Sequence, residues 1–170
     1  MVSSGVALTA QFPDNKTIPI IPSFDVSKNW NVAAATVRYS TTKLLELVIL
    51  QKLSEIVSPD DVIITAVDPG FTGGSGLHRN LAAPARAIFG LIKIFTARSP
   101  KEAAWIYLDA AAVRGKESHG GFIVNWDIYP LHPAMYTPEG KQTSDRLWDE
   151  TMKELEFAGA PDILRSISRP

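Results

Sequence analysis

The chain has 170 residues, 45% hydrophobic and 21% charged, with a formal net charge of −1. That length suits a single domain, residues 1–170, burying roughly 70% of its unfolded surface. The balanced charge, with no basic cluster, excludes nucleic acid and anionic membrane surfaces as expected partners, and the absence of cysteine removes disulfides, thiolate zinc sites and cysteine nucleophiles together.

Met1 to Val6 has no basic segment leading into an apolar core, so no signal peptide is expected. No run approaches the ~18 apolar residues of a membrane span, and the cytoplasm is the expected compartment. Asn15-Lys16-Thr17 matches a glycosylation sequon, but without a secretory signal it carries no meaning.

In chain order, Val2-Ser3-Ser4-Gly5 reads as the end of a strand running into a turn. From Gln11 to Asn29, Pro13, Pro19 and Pro22 predict a long surface loop. Val32 to Val57 contains neither proline nor glycine and reads as helix, closed by Ser58-Pro59-Asp60. Its apolar residues, from Leu44 to Val57, cover more than one stripe, so more than one face must be buried, between layers or against a second copy of the chain. Val62 to Val67 is a continuous apolar run of the kind a doubly covered parallel strand shows. Asp68-Pro69-Gly70 closes it, and a flexible glycine loop through Gly76 follows.

Pro84 to Ala97 predicts an apolar helix, which on its residues alone reads as packed on the sheet edge. Ser99-Pro100-Lys101-Glu102 carries a capping box and a proline suited to the first helical position, and Gly115 is the expected stop. Phe122-Ile123-Val124 reads as a short strand, followed by a proline-bearing loop through Pro133. Thr137-Pro138-Glu139 starts a terminal helix with Leu147, Trp148, Met152, Leu155 and Phe157 on its apolar side, ending near Gly159. This alternation of strands and helices indicates an α/β domain with parallel strands. The sheet is thin, and the sequence looks like half of a fold.

Within the long helix, Tyr39 and Lys43 stand four residues apart and so share a face. A free phenol titrates near ~10 and is a poor proton donor or acceptor at neutrality. A unit cation ~5 Å from a phenol favours the phenolate by roughly 3 kcal/mol at an effective dielectric of ~20, while desolvation opposes it. The pair therefore suits general acid/base work. Taken alone, the spacing is weak evidence, and a half-buried tyrosine beside a solvated lysine is the favoured description. Histidines 78, 119 and 132 are scattered, and no metal site is expected.

Taken together, Val2-Ser3-Ser4, Tyr39-Ser40-Thr41-Thr42-Lys43, Val67-Asp68-Pro69-Gly70, Ser118-His119-Gly120-Gly121-Phe122 and Leu147-Trp148-Asp149-Glu150 resemble, in the same order, the C-terminal half of a short-chain dehydrogenase/reductase. The likeness is to the retinol-dehydrogenase-like branch common among fungal reductases. It implies an incomplete Rossmann-like parallel sheet, the last strands of a doubly wound fold, with flanking helices. It further implies that Tyr39 exchanges the proton at the substrate oxygen, that Lys43 tunes Tyr39 and holds the nicotinamide ribose, and that Ser4 orients the carbonyl or alcohol. Pro69, Gly70 and Thr72 would border the cofactor, NADP or NAD, and the substrate would be a small, hydrophobic carbonyl or alcohol.

The departures are as specific. No glycine-rich dinucleotide turn follows a first strand, and the position where the family often places a phosphate-contacting Thr or Ser is Gly74. The chain thus reads as a catalytic half without its cofactor-binding half, whether a fragment, a misplaced start or a natural shortening. Its missing neighbours are expected to leave an open strand edge and an apolar face on the helix 32–57, favouring a homo-oligomer through that helix. Two other functions fit the same residues: cofactor-independent isomerisation, dehydration or cyclisation, and a non-catalytic interaction remnant.

Overall fold

Twenty-five residues free of proline and glycine, Val32–Ile56, form the longest helix, which we label α2; it follows a four-residue turn of helix, α1 (Ile20–Ser23). The computed structural model describes residues 1–12, 16–25, 31–74 and 97–167. The Asn31 side chain caps α2 by accepting from the Ala34 amide at 2.9 Å, satisfying one of the orphan donors of a helix start. The expected apolar helix over 84–97 lies outside the described residues except for Ala97, as do His78 and the end of the glycine loop.

The sheet is built around β1 (Ala66–Val67). On one side Val2 forms a parallel bridge to Val67, with Ser3 N–H donating to Val67 O at 2.9 Å and Val67 N–H to Met1 O at 3.0 Å. On the other side β2 (Phe122–Val124) pairs in parallel, Ala66 against Phe122 and Val67 against Ile123. These are the expected parallel neighbours. The strand anticipated over Val62–Val67 is shorter because its first half bonds to a loop. Ile64 N–H donates to His119 Nδ1, and Gly120 N–H donates to Ile64 O, which leaves Val62 and Ile63 exposed rather than doubly covered.

The segment after Val124, expected to be loop, turns back as β3 (Asp127–Tyr129), antiparallel to β2. The sheet is therefore mixed. Its two-residue turn places Asn125 at φ 51° and Trp126 at φ 74°, the left-handed pair that a type I′ hairpin requires. Asn-Trp is a weak sequence signal for that turn because glycine normally takes the second position. Here two guanidiniums hold it, Arg98 bonding the Asn125 amide oxygen and Arg114 the Trp126 carbonyl.

Side-chain alternation along the strands feeds two cores. Ala66, Phe122 and Val124 join Leu44, Leu47, Val48 and Leu50 of α2 in the larger one. Val67 and Ile123 point the other way, into a smaller cluster with Ile106 and Ala110. Ile106 belongs to α3 (Pro100–Leu108), which opens with the expected capping box: Ser99 Oγ accepts from Glu102 N–H, and Glu102 Oε2 accepts from Ser99 N–H. Instead of running on to Gly115, α3 loosens into a π-helical turn over Asp109–Val113. Both faces of the sheet are covered, as an α/β layer arrangement demands.

The terminal helix, α4 (Pro138–Glu154), is capped by Thr137 and packs on α2 through Leu147. It ends at Leu155 rather than near Gly159. Phe157 consequently leaves the helical register and is 89% exposed, contrary to its expected place on the packed side. Gly159, at φ 70°, then starts an unanticipated short helix, α5 (Ala160–Ile167).

These elements also cover much of the apolar surface of α2 within the chain itself. No large apolar residue from Leu44 to Val57 is exposed, because the turn over Gly5–Thr9, α1 and α4 pack on this core through Ala7, Ile20 and Leu147. Glu150 of α4 is one reason: Oε1 and Oε2 accept from the amides of Ile20 and Ile21, each at 2.8 Å. Glu150→Gln turns one of these acceptors into a donor facing an amide. It is expected to cost about 1–3 kcal/mol, read as a lower urea midpoint at unchanged slope.

Candidate active site

Ser4, Asp68 and Val124 end three neighbouring strand segments that run in one direction, so they stand together at the carboxyl edge of the sheet. That edge is where open α/β sheets bind ligands. Gly5, immediately after Ser4, lies against the Asp68 carboxylate: a methyl at Gly5 would stand 3.0 Å from Asp68 Oδ2. The Asp68-Pro69-Gly70 turn is held from both ends. Asp68 N–H donates to Ile123 O at 2.9 Å, and Gly70 N–H donates to Asp68 Oδ1 at 3.0 Å.

Gly70 adopts φ 74°, a conformation that favours glycine, and a side chain there would meet the Arg98 guanidinium at 3.0 Å. Thr72 Oγ1 donates to Gly70 O at 3.2 Å, bracing the turn. Nearby, burial and the Asp68 carboxylate hold the Tyr107 phenol above its ordinary range.

Helix α2 presents Tyr39 and Lys43 on one face, with Lys43 Nζ 5.9 Å from the centre of the Tyr39 ring. The ring is 42% exposed. Lys43 is anchored to the first strand: Nζ donates to Val2 O at 3.3 Å, and its own carbonyl accepts from Ser3 Oγ, also at 3.3 Å. The structure thus joins the helix pair to the strand carrying Ser4. No hydrogen bond links Ser4 to Tyr39 among the described residues, and the half-buried Ser4 hydroxyl makes none of its own there. Ser3, by contrast, is buried and its hydroxyl donates to Lys43 O, which leaves Ser4 as the serine whose hydroxyl has no partner among the described residues.

Sequence reasoning missed Glu46. Its Oε1 accepts from Lys43 Nζ at 2.7 Å, while its Oε2 is buried without a partner among the described residues. The signal was present, since a carboxylate three residues after a lysine shares its helical face. An ammonium has three donor positions. Two of them serve Glu46 and Val2, and the third has no partner among the described residues. Among the described residues there is no cluster of His, Asp and Glu able to hold a metal, and no helix long and apolar enough to cross a membrane.

No family model matches the chain, but several curated proteins do. It is 41% identical to the short chain dehydrogenase/reductase mfmJ of Annulohypoxylon moriforme, over 98% of this chain and 48% of that protein. The short chain dehydrogenase virL of Hypocrea virens is 37% identical over 89% of this chain and 43% of its own length. The short-chain dehydrogenase fogG of Aspergillus ruber is 33% identical over 99% and 49% respectively. The chain therefore spans about half the length of the curated relatives it matches. With the tyrosine–lysine face set beside the carboxyl edge of a parallel pair, and with this likeness running along nearly all of its residues, the chain belongs to the short-chain dehydrogenase/reductase family.

Proposed function

We propose that the chain carries the acid/base and nicotinamide-facing part of an NAD(P)-dependent oxidoreductase acting on the carbonyl or alcohol of a small hydrophobic molecule. The observation that carries this reading is the Lys43 ammonium. It is fixed between Val2 O and Glu46, on the Tyr39 face, with one donor position uncommitted among the described residues.

The residues present fit the nicotinamide-ribose end of such a cofactor. Lys43 and Tyr39 would hold ribose hydroxyls. Pro69 and Gly70 would let the backbone come close, and Thr72 would border the same turn. The bound cofactor supplies or accepts the hydride. Tyr39 gives the proton to the substrate oxygen in reduction, or takes it in oxidation. Lys43 stabilises the phenolate that this exchange leaves behind. The free hydroxyl of Ser4 orients the oxygen being reduced or formed, and exchange of the proton at Tyr39 matches the general acid/base role.

Titrating the folded chain with NADPH and NADH tests the reading, with quenching of its four tryptophans as the signal. Saturable binding in the micromolar range is expected, weakened at least tenfold by Lys43→Met. A chain that is folded by circular dichroism yet shows no saturation with either nucleotide would overturn the cofactor assignment for these 170 residues.

A further inference from the structure

Behind α2, away from the Tyr39–Lys43 face, the structure holds a half-open cavity of about 140 Å³. Leu44 and Val48 of α2 line it, and they lie about 140° and 180° around the helix axis from Tyr39. Met135 and Leu147 contribute further apolar wall. An apolar cavity of ~150 Å³ is large enough to take up one benzene ring.

The lining is not wholly apolar. His132, Thr143 and Ser144 also border the cavity, and their hydrogen bonds decide what they can offer. His132 Nδ1 accepts from the Ala134 amide at 3.1 Å, so a neutral ring carries its proton on Nε2. That Nε2–H has no partner among the described residues. Thr143 Oγ1 donates to Glu139 O and Ser144 Oγ donates to Gly140 O, both at 2.9 Å. Each hydroxyl has spent its proton on its own helix; Thr143 Oγ1 also accepts from Arg146 Nη2 at 3.2 Å, so it retains one oxygen lone pair and Ser144 Oγ retains two. The cavity thus combines apolar walls of one-ring size with one unspent N–H donor and two hydroxyl acceptors.

We propose that this cavity binds a single phenol-sized aromatic ring, at a site separate from the Tyr39–Lys43 face. The ring fills the apolar space between α2 and α4. Its oxygen accepts from His132 Nε2–H, and its O–H donates to a hydroxyl oxygen of Thr143 or Ser144. The proposal does not depend on cofactor binding: a folded chain that ignores NADPH leaves it standing.

The test uses the full 170-residue chain with methyl-resolved NMR, titrating phenol and, separately, benzene. Phenol is expected to saturate and to shift the methyl signals of Leu44, Val48, Met135 and Leu147, with benzene binding more weakly at the same place. Val48→Phe, which fills the space, should weaken phenol at least tenfold. Ala10→Val, at another lining residue, serves the same purpose if Val48→Phe does not fold. His132→Asn keeps an acceptor for the Ala134 amide but removes Nε2–H, and should erase the preference for phenol over benzene. Absence of saturable shifts in the folded wild-type chain, shifts scattered over other methyls, or undiminished binding in the filled variant would each overturn the assignment.

Discussion

Exchanging Tyr39 for phenylalanine is expected to lower carbonyl reduction by about 10²–10⁴-fold, the usual contribution of a general acid or base, while leaving the melting curve in place. The second half of that expectation follows from the environment of the side chain. The ring is 42% exposed, and its hydroxyl has no hydrogen-bond partner among the described residues. Phenylalanine keeps the ring that faces Lys43 at 5.9 Å. A purely structural role would therefore be preserved in the variant, and a proton-transfer role would be lost. Reductase turnover, measured beside a thermal melt on a preparation that binds nicotinamide cofactor, separates the two. A variant keeping more than a tenth of wild-type turnover would remove Tyr39 from the mechanism. An unchanged affinity for NADPH alongside lost turnover would assign its part to the chemical step.

Glu46 makes the same experiment sharper. Its carboxylate sits 2.7 Å from the Lys43 ammonium and offsets part of the positive field that reaches Tyr39. The exposed tyrosine, the braced lysine and the buried carboxylate oxygen form one electrostatic unit, so their substitutions should not be additive. A sequence reader sees the tyrosine and lysine because their spacing is recognisable. The carboxylate shares that face by its own spacing, but that the lysine turns toward it is set by the fold.

The same division runs through the fold. Helix α2, its boundary near Asn31 and the capping box at Ser99 were legible, because helix starts and uninterrupted apolar segments are written locally. The parallel pairing of Val2, β1 and β2 followed from apolar runs and from the resemblance. What escaped was set by distant partners. The hairpin at Asn125-Trp126 lacks the glycine that would announce it, and two arginines from elsewhere hold it. Val62–Thr65 looks like a buried strand, yet His119 and Gly120 capture Ile64 in a loop. That the chain itself covers apolar faces of α2 was not legible either, because sequence does not tell that Glu150 pins Ile20 and Ile21.

Phe122 offers the largest stability effect. It is fully buried, sits in the middle of the sheet opposite both Ala66 and Tyr129, and belongs to the core shared with α2. Phe122→Ala removes a whole ring from a packed site, which costs about 3–5 kcal/mol. Against a typical total of about 5–15 kcal/mol, that is a large share, and at about 2–4 °C per kcal/mol for a chain of this size the melting temperature should fall by about 6–20 °C. Phe157→Ala is the matched control. It deletes the same atoms from a side chain 89% exposed, and the change should stay within about 0.5 kcal/mol. Similar effects from the two substitutions would overturn this core assignment. The consequence reaches the site as well. The residue after Phe122 supplies the carbonyl that fixes Asp68 N–H, so loosening β2 releases the Asp68-Pro69-Gly70 turn. Phe122→Ala should therefore weaken nicotinamide binding at temperatures where most of the chain is still folded, whereas Phe157→Ala should leave it unchanged.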